Sequence, residues 1–134
     1  MTGRLRVFTD GASRGNPGPA SLGVSILDAA GDEVATASEA IGTATNNVAE
    51  YRALVRALEL LEELGAPEAD FFLDSQLIVR QISGEYRVRD PKMKQLHARV
   101  RRALARLKGY TMTHVPRAEN RRADALANEA LGPK

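Results

Sequence analysis

Residues 45–74 read TNNVAEYRALVRALELLEELGAPEADFFLD, and the fold turns on them. Tyr51, Leu54, Val55, Leu58 and Leu61 recur at helical spacing, and Gly65 with Pro67 stops the run. FFLD (71–74) then reads as a short buried strand that ends on an acid. Everything before the helix reads as strand. RLRVFTD (4–10) ends on Asp10, a Gly/Pro-rich loop GASRGNPGP (11–19) follows, and segments near 20–28 and 33–42 flank a hairpin turn at DAAGDE. Beyond it, residues 75–83 resemble a short helix. Pro91 opens a longer helix over 91–108, with Met93, Leu96, Val100, Ala103, Leu104 and Leu107 on one face. YTMTHV (110–115) makes a strand and 120–131 a final helix. Three strands followed by helices alternating with two more strands predict an α/β domain with a mixed sheet.

The 134 residues fit one domain, 1–134, with no internal repeat, low-complexity tract or linker. No apolar run exceeds three residues, which excludes a spanning helix, and the start MTGRLRVF carries no signal-peptide stretch. Zero cysteines exclude disulfides, thiolate zinc sites and cysteine nucleophiles; a reducing, cytoplasmic setting is the expectation. Nothing points to a membrane or an obligatory protein partner. The formal charge of +2 hides an uneven distribution: Arg80 to Arg122 holds 13 Lys or Arg against three acids, Glu85, Asp90 and Glu119. A cationic third of this kind raises nucleic acid as a partner without establishing it.

Four acids stand where apolar or structural residues are expected. Asp10 and Asp74 each end a buried-looking strand, and ligands collect at the carboxyl ends of strands in open α/β sheets. Glu50 shares a helical face with Leu54, Leu58 and Leu61, so it points toward the sheet; Asp124 shares a face with Ala127 and Leu131. Singly, an acid after a strand is an ordinary turn residue and an acid in a first helical turn an ordinary dipole partner. Together, four inward carboxylates repel one another and lose hydration unless cations sit among them. An all-oxygen set selects hard ions such as Mg²⁺ or Mn²⁺.

The letters around these acids are DGASRGNPGPA (10–20), TNNVAEYRAL (45–54), DSQ (74–76) and ENRRADALA (119–127). In this order they resemble type 1 ribonuclease H, the enzymes that cut the RNA strand of RNA/DNA hybrids. The resemblance runs through nearly the whole chain. It implies a ribonuclease H-like fold: a five-stranded mixed sheet, three antiparallel strands then two parallel, flanked by helices. It also implies that Asp10, Glu50, Asp74 and Asp124 form the catalytic and metal-binding set. In the family's mechanism two Mg²⁺ ions (Mn²⁺ being possible) bridge the scissile phosphate. One activates the attacking water and the other stabilises the departing 3′ oxygen, leaving a 5′-phosphate and a 3′-hydroxyl. Asp10 would bridge both ions, and Glu50 would lie within reach of the 2′-OH beside the cut.

For substrate contact the resemblance implies Gly11, Asn16, Thr45, Asn46, Asn47 and Gln76. Gly11, Gly15 and Gly18 suit close approach to a strand, while Asn46 is equally suited to capping the helix it precedes. Two departures from the family stand out. Many relatives carry a histidine in a loop before the last acid. Here HVPRAENRRAD leaves that loop short, His114 reads as a strand residue, and Arg117 or Glu119 is left to take over part of the task. His97 falls at the edge of an apolar helix face and reads as structural. Some relatives also insert a basic, Trp-containing protrusion before the long helix. SGEYRVRDP (83–91) is too short for it and the chain has no Trp. Grip on the DNA strand then falls to Lys92, Lys94, Arg99, Arg101, Arg102, Arg106 and Lys108, unless that row is simply a solvated helix face. The expected activity is hybrid-specific RNA cleavage. The alternatives are a nuclease with broader substrates, including double-stranded RNA, a non-catalytic binding domain, and a domain of a larger bifunctional protein.

Overall fold

The computed structural model describes residues 4–133; the first three residues of the start MTGRLRVF lie outside them. The chain runs β1 (Leu5–Ser13), β2 (Gly18–Leu27), β3 (Glu33–Ala44), α1 (Asn46–Leu64), β4 (Glu68–Leu73), α2 (Gln76–Ile82), α3 (Pro91–Ala105), β5 (Gly109–His114) and α4 (Arg121–Leu131). A short 3₁₀ turn, Arg117–Glu119, precedes α4. The five strands form one mixed sheet in the order β3-β2-β1-β4-β5. The first three pair antiparallel, and β1–β4 and β4–β5 pair parallel. This is the α/β arrangement expected from the sequence.

Register assigns the two faces of the sheet, because side chains alternate along each strand. Val7 lies opposite Ile26, Thr9 opposite Val24 and Gly11 opposite Leu22. These face α1 and α3, whose Tyr51, Leu54, Leu61, Val100 and Leu104 complete a core with Phe71 and Leu73 of β4. On the opposite face Phe8 lies opposite Ser25 and Asp10 opposite Gly23, and there α4 covers β1 to β3. Phe8 stacks on Phe72 of β4, ring centroids 5.0 Å apart, along the part of that face next to β5.

Helix ends follow local chemistry. Thr45 caps α1, its hydroxyl accepting from the Val48 N–H at 3.2 Å, so the cap falls one residue before Asn46. Gly65 closes α1 in the left-handed conformation at φ 66°. Asp90 caps α3 through the Met93 N–H at 3.0 Å, with Pro91 as the first helical residue.

Two expected boundaries are corrected. β1 continues past Asp10 to Ser13, because Gly11, Ala12 and Ser13 pair with Leu22, Ser21 and Ala20; the loop shrinks to Arg14–Pro17. Helix α3 ends at Ala105 instead of 108. There the chain trades helix for sheet: the Lys108 N–H donates to the Pro67 carbonyl at 2.8 Å, starting the parallel pairing of Gly109 with Glu68. Between α2 and α3 the chain has only residues 83–90, which leaves no room for a protrusion.

Candidate active site

β1 and β4 stay paired up to Thr9 and Leu73 and then part, while β1 remains paired to β2. Asp10 and Asp74 are the next residues on each strand. The parting leaves a notch at the carboxyl end of the parallel pair, and the acids gather in it. Asp10, Glu50 and Asp74 each offer an oxygen within 4.8 Å of the others.

Glu50 reaches the notch from the α1 side because Gly11 has no side chain. A Cβ at Gly11 would collide with the backbone of Ala49 and Glu50, so the first turn of α1 rests directly on β1. The Glu50 carboxylate lies beside the Gly11 backbone, and its Oε2 is buried with no partner. Asp124 approaches from the other face, in the first turn of α4, as a neighbouring like charge to Asp10, outside the three acids whose oxygens lie within 4.8 Å of one another.

Crowding and burial act on these groups in one direction. Asp10 is 4% exposed, and its carboxyl is pushed up to about 7 by desolvation first and then by the charge of Asp74 and the neighbouring Asp124. Glu50 is 8% exposed and lies well above the usual carboxylate range, again through burial and then the charge of Asp10. A buried carboxylate oxygen without a donor, among further acids, is a donor set for a hard cation: all oxygen, anionic and short of counter-charge. The residues present fit a divalent ion.

Asp124 depends on how closely α4 lies on the sheet. A Cβ at Gly23 would meet the Ala123 carbonyl, so helix and strand touch backbone to backbone. The Ser21 hydroxyl donates to the Ala127 carbonyl at 2.5 Å and the Ser38 hydroxyl to the Leu126 carbonyl at 2.6 Å. At the start of the helix Asn120 Nδ2 donates to the Thr9 carbonyl at 2.8 Å. At its end Arg14 donates to the carbonyls of Leu131 and Gly132. None of these docking residues stood out in the sequence; the hint lay in small polar residues at inward positions of β2 and β3.

The other expected site residues divide into groups. Asn16 Oδ1 accepts from the Asn46 N–H at 2.9 Å, joining the β1–β2 loop to the start of α1, with Gly11, Thr45 and Asn47 alongside. Gln76 opens α2, exposed, two residues past Asp74. Arg117 and Glu119 are exposed on the 3₁₀ turn before α4. A cleft of about 940 Å³ runs from Pro17 and Thr45 past Val48 and Arg52 to Asp90 and Lys92.

The cationic row is not uniform. Arg99 pairs with Glu59 at 3.5 Å, Arg106 with Glu62 at 4.0 Å, and Arg101 donates to the Ile82 carbonyl at 2.8 Å. Among the described residues Lys92, Lys94, Arg102 and Lys108 have no acidic partner. His97 places Nε2 3.1 Å from the Gln81 carbonyl, a packing role, and His114 is the exposed last residue of β5.

A family model described as reverse transcriptase-like matches residues 8–130. The crystal structure of ribonuclease H1 from the archaeon Halobacterium salinarum superposes with a TM-score of 0.94 at 46% identity, covering 96% of this chain and 98% of that one. The chain belongs to the ribonuclease H family. The N-terminal ribonuclease H domain of Rv2228c from Mycobacterium tuberculosis matches at 41% identity and a TM-score of 0.93, covering 96% of this chain and 98% of that one. A ribonuclease H1 from a compost metagenome, solved in complex with an RNA/DNA hybrid, matches at 44% identity and a TM-score of 0.90, with 95% and 96% covered. As full-length proteins the archaeal and mycobacterial relatives are longer: the chain spans 65% of the Halobacterium ribonuclease HI and 35% of the bifunctional mycobacterial protein. The ribonuclease H sheet order and the acid-lined notch lie within the matched residues.

Proposed function

We propose that the chain is an endonuclease hydrolysing the RNA strand of RNA/DNA hybrids, leaving 5′-phosphate and 3′-hydroxyl ends. One observation carries the reading: three carboxylates within 4.8 Å, one with a buried oxygen that no donor serves, in a ribonuclease H framework. Asp10, Glu50, Asp74 and Asp124 are the residues that would hold divalent cations, Mg²⁺ or Mn²⁺, two per site with substrate bound. When bound, such ions supply an activated water and stabilise the departing oxygen of a phosphodiester. Asp10, neighbour to the other three acids, would be the residue best placed to serve both cations. Glu50 offers an acceptor to the ribose 2′-OH, the group that separates RNA from DNA.

Asn16, Asn46, Asn47 and Gln76 bring amides to the rim for the base edges of the hybrid, and Gly11 lets the backbone come close. Thr45 is the phosphate contact on that rim. Arg117 and Glu119 stand before Asp124 for the task of the missing loop histidine. Lys92, Lys94, Arg102 and Lys108 hold the DNA strand, with Arg99, Arg101 and Arg106 behind them as internally tethered charges. We take residues 1–134 as one working domain acting in the cytoplasm, in accord with the cysteine-free composition. A second reading, the nuclease domain of a longer protein, is favoured by the 35% span of the bifunctional relative.

Cleavage of end-labelled hybrid, RNA duplex and single-stranded RNA, with and without Mg²⁺ or Mn²⁺, tests this. Metal-dependent cutting of the hybrid in preference to the others is expected. Metal-independent cutting, or equal rates on all three, refutes it.

A further inference from the structure

The acid cluster is held by links between the elements that carry it. Asp10 and Asp74 are tied by the last parallel pair, Thr9 with Leu73. Asp10 and Glu50 are tied where Gly11 bears on the backbone of Ala49 and Glu50. One side of the triangle remains, between Glu50 on α1 and Asp74 at the start of α2.

That side is closed by a polar contact inside the core. Tyr51, the residue after Glu50, is fully buried, and its hydroxyl donates to Gln81 Oε1 at 2.6 Å. Gln81 is itself 5% exposed, an amide in an apolar setting. Its Nε2 donates to the Arg87 carbonyl at 3.4 Å, and its own carbonyl lies 3.1 Å from His97 Nε2. The His97 ring meets Tyr51 edge-on at 6.3 Å. Four parts of the chain meet at this residue: α1, α2, the segment 83–90 and α3. A phenylalanine–leucine pair would fill the same space with no polar group to satisfy, so a buried hydroxyl–amide pair fixes an orientation that apolar packing leaves free. Helix α2 runs from Gln81 back to its cap at Ser75, directly after Asp74, a lever of about 9 Å at 1.5 Å per residue.

We infer that the Tyr51–Gln81 hydrogen bond sets the separation of Glu50 from Asp74, making both residues positioning residues for the cation those two carboxylates share. The inference rests on the metal-dependent reading above. Tyr51 and Gln81 touch neither cation nor substrate; they act through the helices that bear the two acids.

The test is calorimetric titration of Mn²⁺ into the full chain without nucleic acid, for the native protein, Tyr51→Phe, Gln81→Leu, the double variant and Ile26→Val. The last trims a buried side chain of β2, a strand that carries neither the acids nor the polar contact, and serves as a control for general destabilisation. Tyr51→Phe, which deletes one oxygen and keeps the ring, is expected to weaken Mn²⁺ binding about tenfold, the usual scale for support beyond the ligands themselves. Gln81→Leu should weaken it equally, and the double variant no further than either single one. Ile26→Val should bind like the native chain. Unchanged affinity in Tyr51→Phe, with only a lowered melting temperature, overturns the inference and leaves the proposed function standing. An equal loss in Ile26→Val overturns it too. A native chain that takes up no cation overturns both.

Discussion

Asn120 donates through Nδ2 to the carbonyl of Thr9 at 2.8 Å, and the two residues are 111 positions apart. This hydrogen bond joins the residue before Asp10 to the residue just before α4, so the strand carrying one acid and the helix carrying another are tied directly together. Asn120 is 1% exposed. Replacing it by alanine leaves a buried carbonyl without its donor and frees the start of the helix. Asn120→Ala should lower stability by about 1–3 kcal/mol in urea unfolding and reduce hybrid cleavage beyond what the smaller folded fraction explains. Native stability in this variant refutes the tie.

Gly23 makes a sharper case, because nothing flexible lies in the way of a Cβ. The atoms it would meet are the backbone of Ala123 and Ala127. Gly23→Ala must lift α4 from the sheet, a cost of about 1–3 kcal/mol for overpacking, and draw Asp124 away from Asp10. Melting temperature and cleavage rate should both fall. An unchanged cleavage rate would falsify the dependence of Asp124 on this backbone approach.

The raised Asp10 pKa sets the pH behaviour of the metal-free chain. The folded carboxyl titrates at about 7, against about 3.9 in an unfolded chain. Between those values the folded state binds more protons, so stability present below about pH 4 is lost as the pH rises toward 7. The slope is at most about 1.4 kcal/mol per pH unit for one such proton. Asp10→Asn removes this slope and should leave the apo protein equal or more stable at pH 8, while abolishing cleavage. Asp74→Asn relieves the same crowding and should also be folded and inactive. Thermal melts from pH 4 to 8 without metal decide the matter, since a native curve parallel to that of Asp10→Asn contradicts the assignment.

The cationic row yields a differential salt test. Removing one phosphate-binding cation reduces the slope of log affinity against log salt by about one. Replacing Lys92, Lys94, Arg102 and Lys108 together by glutamine should flatten the slope for hybrid by several units. Replacing Arg99 and Arg106, which already face Glu59 and Glu62, should hardly change it. Equal effects from the two sets remove the distinction.

Much of the architecture was legible because local signals agree. The leucine rows of α1, its stop at Gly65 and Pro67, and the Asp90–Pro91 entry to α3 each combine propensity with a cap. The acids were legible as anomalies: Glu50 breaks an apolar face, and Asp10 and Asp74 each end a stretch that reads as a buried strand. What stayed hidden is non-local. β1 continues through Gly11 because β2 offers partners there, and α3 stops early because Pro67 offers Lys108 an acceptor. Thr45 and Asn46 are both good capping types, and only backbone geometry chooses between them. Alternation marks Ser21 and Tyr51 as inward and says nothing of the carbonyl or amide each finds.

The sheet order carries one consequence for biosynthesis. β1 lies in the middle, between a neighbour made immediately after it and a neighbour, β4, made more than fifty residues later. As the chain leaves a ribosome from its N-terminus, the β1–β3 meander emerges first with one side of β1 unpaired. Asp10 is then available to a cluster that lacks Glu50, Asp74 and, last of all, Asp124. A nascent chain surrounded by ribosomal RNA therefore holds Asp10 apart from the other three acids until the segment through Asp124 is synthesised. The element that carries Asp124, α4, is also the one that covers the outer face of the meander.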